Sequence, residues 1–145
     1  MDFVICSRHE MLRNIMDERF TELFNIISIN DYTSEKEEIE TLYENGDNNK
    51  DNLLAVVFKD DYPNPGEFTP EVAQSIIDFV EKTEREGRDL IIHCWAGISR
   101  SGAVAKWINE HFEYNIVYWN NYKDYNRAVH HILTTTSQRM RSNDE

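Results

Sequence analysis

The sequence predicts an α/β fold, a central, mostly parallel sheet of four to five strands flanked by helices. Three observations carry that expectation. Short apolar runs alternate with stretches of helical periodicity along the whole chain, the pattern that βαβ units produce. The run Leu53-Leu54-Ala55-Val56-Val57-Phe58 is almost continuously apolar, as a strand covered on both faces requires, and is expected in the middle of the sheet. The length of 145 residues suits one domain spanning 1–145, because a chain this long buries about two-thirds of its unfolded surface.

Phe3-Val4-Ile5-Cys6 reads as the first strand. Ser7 can cap a helix running to about Arg19, with Met11, Ile15 and Met16 facing inward, and Phe24 to Ile29 makes the second strand. A polar, acidic stretch follows from Asp31 to about Asn52. It places Glu35, Glu37, Glu38, Glu40 and Glu44 in a short helix ahead of the loop chemistry of Asn45-Gly46-Asp47-Asn48-Asn49. A solvated surface excursion is expected there rather than a binding site. Beyond the third strand, Lys59 to Phe68 is a proline and glycine loop that ends where Thr69 caps a helix with Pro70 at its first position. Ala73, Ile76, Ile77 and Val80 recur in that helix at the 3.6-residue period. Lys82 and Arg85 sit near its negative end, and Gly87 stops it. Leu90-Ile91-Ile92 is a further strand. The helix after Arg100 aligns Val104, Trp107, Ile108 and His111, and a last helix from about Tyr122 to Leu133 aligns Tyr125, Val129, Ile132 and Leu133.

A formal net charge of −12 argues against nucleic acid or an anionic membrane as a partner, since either demands clustered Lys and Arg. No apolar run approaches the roughly 20 residues of a membrane span. Met1-Asp2-Phe3 lacks the cationic and then apolar start of a signal peptide, so a soluble, cytoplasmic protein is expected. Two cysteines make no disulfide framework, and Cys6 in the first strand reads as a small buried apolar side chain rather than a redox partner for Cys94. His9, His111, His130 and His131 form no ligand pattern, and no metal or other cofactor is implied.

The most informative stretch is His93-Cys94-Trp95-Ala96-Gly97-Ile98-Ser99-Arg100-Ser101-Gly102, between an apolar strand and a helical pattern. A loop that folds around a phosphate turns successive backbone N–H groups inward and delivers its end to a helix N-terminus, which favours anions. A thiolate at the base of that cradle, Cys94, is stabilised by the same field. The backbone of Trp95, Ala96, Gly97, Ile98 and Ser99 forms the ring, and the planar guanidinium of Arg100 can hold two phosphoryl oxygens at once. Gly97 permits a backbone turn that a side chain would resist. Ser101 can donate its hydroxyl to the thiolate and ease its departure from a phosphocysteine.

At these residues the chain resembles the cysteine-dependent protein tyrosine phosphatases, whose pattern is His-Cys, five residues, Arg, then Ser or Thr. Within them it looks most like the dual-specificity branch, where Ala-Gly and Ser-Arg-Ser recur as at Ala96-Gly97 and Ser99-Arg100-Ser101. The likeness covers ten residues of 145. It implies a phosphatase acting on phosphotyrosine in a protein or peptide through a phosphocysteine intermediate, with phosphoserine and phosphothreonine left open.

Such hydrolysis needs an acid to protonate the leaving oxygen. Asp60 follows the third strand, on the edge where the Cys94 loop emerges in a parallel sheet. The resemblance supports it through a Phe-x-Asp turn, matched by Phe58-Lys59-Asp60, and Asp61 is the competitor. The resemblance also gives His93 a structural part in orienting the loop. It gives Asn126 a supporting part, with Tyr125 in place of the usual proline. Trp95 either forms a wall of the cleft or packs beneath the loop. Phosphoinositide-directed members of the resembled family place lysines within the five-residue loop; this loop contains none, so the resemblance argues against a phosphoinositide substrate. The segment that deepens the pocket of tyrosine-only enzymes is not recognisable, so a shallower cleft is implied. Two other readings stay open. An RNA 5′-end phosphatase uses the same chemistry but fits the acidic balance poorly, and a catalytically inactive phosphoresidue-binding module would not need Cys94, Arg100 and Asp60 together.

Overall fold

Strict alternation of apolar side chains along each strand builds two separate cores, one on each face of a single sheet. The computed structural model describes residues 2–60, 67–112 and 124–144, the last four by backbone alone. Four parallel strands form the sheet: β1 (Phe3–Ser7), β2 (Phe24–Asn30), β3 (Leu53–Val57) and β4 (Asp89–Cys94), in the order β1-β4-β2-β3. Ile26 and Ile91 point to one face. Ile27, Ile29, Leu90 and Ile92 point to the other.

The first face is covered by α1 (Arg8–Asn14), α2 (Glu18–Leu23) and α3 (Thr33–Asn45), which bring Met11, Ile15, Ile39 and Tyr43 to it. The second, larger core is closed by α4 (Pro70–Glu86), α5 (Ser99–His111) and α6 (Arg127–Asp144), with Trp107 wholly buried at its centre. The boundaries of α4 follow the sequence signals. Thr69 accepts from the Val72 N–H at 3.3 Å, Pro70 opens the helix, and Gly87 ends it in the left-handed conformation. Among the described residues, no helix is long and apolar enough to cross a membrane.

Four expectations are corrected. The apolar run expected at the centre of the sheet is the edge strand β3, which pairs only with β2 among the described residues. Its hydrophobicity has another cause: α3 and α4 lie against it from the two faces. The first helix is two helices, because Asp17 accepts from the Arg19 N–H at 3.0 Å and starts α2 afresh, leaving Met16 exposed. The acidic stretch is not a solvated excursion. Glu37, Glu38 and Glu44 of the 13-residue α3 are exposed, while Ile39, Leu42 and Tyr43 recur at helical spacing and pack on the sheet. The last helix starts at Arg127, after Tyr125, because the Asn126 side chain accepts from the N–H groups of Ala128 and Val129 at 3.0 and 3.1 Å and caps it. Tyr122 lies outside the described residues.

Parallel pairing carries the ends of all four strands, Ser7, Asn30, Val57 and Cys94, to one edge of the sheet. Beyond that edge is where open parallel sheets hold their ligands. The structural role of α3 is testable. Ile39→Ala should cost about 2–5 kcal/mol in urea denaturation, whereas a loss below about 0.5 kcal/mol would mark α3 as a surface element after all.

Candidate active site

β4 ends at Cys94 and α5 begins at Ser99, so the chain must turn within Trp95-Ala96-Gly97-Ile98. Gly97 makes the turn with φ at +73°. A Cβ there would lie 2.6 Å from the Cys6 carbonyl carbon and 2.8 Å from the Ser7 nitrogen. Both are backbone atoms of β1 and cannot swing away, so only glycine fits. The Arg8 N–H donates to the Trp95 carbonyl at 3.1 Å, and the end of β1 thereby grips the loop a second time. α5 opens with Ile98 at its cap, which has no side-chain oxygen to offer. The first N–H groups of the helix are left for an anion, with the positive end of the helix dipole behind them. Cys94 lies at the base, 2 % exposed, with Sγ 3.2 Å from the Ser101 hydroxyl.

Arg100 is 3 % exposed, and its charge is compensated from one side. One terminal nitrogen donates to Asp31 Oδ1 at 2.6 Å and to the Phe58 carbonyl at 2.8 Å. Nε is buried and has no partner among the described residues. An unsatisfied N–H on a buried cation is costly. Arg100 lines one cavity of about 490 Å³ with Cys94, Ser99, Asp60, Asp31 and Asp124. The arrangement therefore holds the guanidinium by one edge and keeps donor capacity for an anion in that cavity.

Behind the cradle runs a buried polar chain. Arg8 donates to Asn30 Oδ1 at 2.9 Å, the Asn30 amide donates to the Ser28 hydroxyl at 3.0 Å, and that hydroxyl meets His93 Nε2 at 2.7 Å. Asn30 also donates to the Val56 carbonyl at 3.2 Å, tying β2 to β3. Glu38 pairs with Arg8 from the protein surface at 3.2 Å. His93 is wholly buried. Burial, helped by the positive charges of Arg8 and Arg100, pushes its pKa down to about 4, so the ring is neutral near pH 7.

Asp60 stands on the loop that leaves β3. Its Oδ1 accepts from the Ser99 hydroxyl at 2.8 Å and from the Asn126 amide at 2.8 Å. The backbone N–H of Asn126 in turn donates to the Ser99 carbonyl at 2.9 Å, so Asn126 touches both Asp60 and the loop. Asp61, the competing acid, lies outside the described residues. Trp95 is 60 % exposed and lines the cavity with Ile98, so it is a wall of the cleft and not packing beneath the loop. Cys6, expected to be buried, is partly exposed and packs against the core opposite to the one containing Cys94. Burial, and then the charges of Glu10 and Cys94, pushes the Cys6 thiol up to about 12. Among the described residues, no group of three His, Cys, Asp or Glu side chains is placed to hold a metal ion.

Sequence reasoning missed Asp31 and Asp124 at the cavity, and Arg8, Ser28 and Asn30 behind it. Asp31 had a usable signal: it directly follows a strand, at the sheet edge where Cys94 and Asp60 also emerge. The buried chain had none, because a lone arginine after a strand and a serine inside one are ordinary surface and strand residues until the register brings Ser28 beside His93.

No family model and no curated protein matches this chain. Solved structures do match it by fold. PTPMT1 aligns over 99 % of this chain and 94 % of its own, with 11 % identity and a TM-score of 0.61. The PTP-2 phosphatase of Cydia pomonella aligns over 77 % of this chain and 68 % of its own, with 19 % identity and a TM-score of 0.59. The active form of Tk-PTP aligns over 94 % and 76 %, with 18 % identity and a TM-score of 0.52. The chain has the protein tyrosine phosphatase fold, in its compact dual-specificity-like form.

The neutral, buried His93 predicts a pH dependence of stability. Below its ordinary pKa of 6.5 the unfolded chain takes up a proton that the folded chain refuses until about pH 4. Stability from this group is therefore complete at pH 7 and falls between about pH 6.5 and pH 4, by about 3 kcal/mol. In urea denaturation at pH 7 and pH 4.5, His93→Gln should lose less stability on acidification than the wild type. Equal losses would remove His93 as the cause.

Proposed function

We propose that this protein is a cysteine-dependent phosphatase of the dual-specificity kind, hydrolysing phosphotyrosine in a protein or peptide, with phosphoserine and phosphothreonine as further candidates. The observation that carries the reading is the cradle itself. A buried cysteine lies at the base of an uncapped helix N-terminus, beside a buried arginine whose Nε lacks a partner among the described residues. The exposed Trp95 and Ile98 at the mouth support an aromatic phosphoester, since they offer apolar faces to a phenyl ring. The name of one structure sharing the fold, the PTP-2 phosphatase of Cydia pomonella, supports the same class of chemistry.

The reaction takes two steps. The Cys94 thiolate attacks phosphorus as the bond to the tyrosine oxygen breaks, and Asp60, in its acid form, gives that oxygen its proton. Arg100 and the loop N–H groups hold the three remaining phosphoryl oxygens, whose charge is spread in the transition state. Asp31 and the Phe58 carbonyl keep the guanidinium in place, so little reorganisation is needed. Water then attacks the phosphocysteine, Asp60 takes a proton from it, and the S–P bond breaks. Ser101 donates its hydroxyl to the departing thiolate at the 3.2 Å contact. The products are free tyrosine hydroxyl and inorganic phosphate, and the reading places the enzyme in a reducing, cytoplasmic compartment where the thiol survives.

The test is phosphate release from a phosphotyrosine peptide. Cys94→Ser should abolish turnover while retaining phosphate binding, and Asp60→Asn should slow turnover by roughly 10²-fold or more. Wild-type rates in Cys94→Ser would end the proposal, and an unaltered rate in Asp60→Asn would move the acid to Asp61.

A further inference from the structure

A second, smaller cavity of about 290 Å³ adjoins the phosphate cavity and shares two of its residues, Asp60 and Ser99. Tyr125, Asn126 and Arg127 complete it. The Arg127 guanidinium lies 5.2 Å from the centre of the Tyr125 ring, and Lys106 approaches the same ring at 5.5 Å. Lys106 is paired with Glu110, which also bonds His130, whereas no carboxylate pairs with Arg127 among the described residues. In a chain of net charge −12, this cationic wall beside the site is out of keeping with the surface at large.

We infer that this cavity is a specificity subsite, in which Arg127 binds an anionic group that flanks the scissile phosphotyrosine in the substrate. The inference rests on the phosphatase reading above. Asp60 protonates the leaving oxygen, so the space on its far side is filled by the chain that carries the leaving group and not by the phosphate. A group there lies beside the phosphorylated residue. Asp60 is the one carboxylate lining this cavity among the described residues, and its Oδ1 is already engaged by the Ser99 hydroxyl and the Asn126 amide. The aromatic face of Tyr125 holds the guanidinium in one orientation, reducing the entropy lost on binding. The planar fork then suits a carboxylate or a second phosphate, both of which it can grip with two parallel hydrogen bonds. Asp31 and Asp124 open on the phosphate cavity and not on this one.

Four phosphotyrosine peptides distinguish the outcomes, with the neighbours of the phosphotyrosine all alanine, all aspartate, all lysine, or one phosphoserine among alanines. The wild type should prefer the aspartate peptide to the alanine peptide on the order of five-fold in kcat/KM, through KM, and should disfavour the lysine peptide. Arg127→Ala should bring the aspartate and alanine peptides level, Arg127→Lys should restore part of the preference, and Arg127→Glu should reverse it. These ratios are internal to each variant, so a general loss of fold or activity does not imitate them. A gain with aspartate assigns the subsite to acidic sequences, and a gain confined to the phosphoserine peptide assigns it to doubly phosphorylated ones; either supports the inference. Turnover of all peptides without dependence on their flanks, or the same preference in Arg127→Ala, overturns it. No turnover of phenyl phosphate by the wild type would instead overturn the phosphatase reading on which it rests.

Discussion

One buried guanidinium fixes the geometry of this protein's working edge. Arg100 enters from the first turn of α5 and meets Asp31, just past β2, and the carbonyl of Phe58, just past β3. A cation so deeply buried is tolerated only where acceptors meet it, since desolvation costs several kcal/mol even after relaxation. Its partners therefore set how the ends of two strands stand against one helix. Phe58 is held from below as well: its N–H donates to the Asn30 carbonyl at 3.1 Å, and its ring packs on Phe68 with centroids 4.4 Å apart. The residue two positions on is Asp60. The same pairing that anchors the arginine thus brings the Asp60 carboxylate to the cavity.

The sheet does the same for the cysteine. Ser28 and Cys6 flank His93 on the two neighbouring strands. The chain Arg8-Asn30-Ser28-His93 runs beneath the loop and ends at His93 Nε2, while His93 Nδ1 has no hydrogen-bond partner among the described residues. Breaking a link in a buried chain of this kind is costly. The chain fixes the His93 side chain next to Cys94, while Gly97 lies against the backbone of Cys6 and Ser7. The loop is held by its neighbours and does not have to store its own shape. Asn126 closes the third side, capping α6 with its side-chain oxygen while its amide holds Asp60.

Much of this was legible in the sequence because the chemistry of the loop is local. His93 to Ser101 are consecutive, and a strand before and a helix after are each visible from periodicity. The four parallel strands follow from the alternation of elements, which gives direction but not order. That is why β3 was misplaced: an apolar run reports cover on both faces, and helices can supply that cover at an edge as well as at the centre. The acidic helix was misjudged because its glutamates outnumber Ile39, Leu42 and Tyr43, although three positions on one face suffice to bury it. Asp31 and Arg8 could be found only through register and crossover, since each meets a partner from a distant part of the chain. The split of Asn126 between two duties is likewise a tertiary fact.

In the proposed reaction Cys94 carries the phosphoryl group between two displacements. Rapid mixing with a phosphotyrosine peptide, acid quenching within one turnover and mass spectrometry of the digested protein would follow that group. A phosphoryl group on the fragment containing Cys94, appearing and decaying with the burst of dephosphorylated peptide, is expected. Steady release of phosphate with the phosphoryl group on another residue, or on none, would rule the covalent intermediate out.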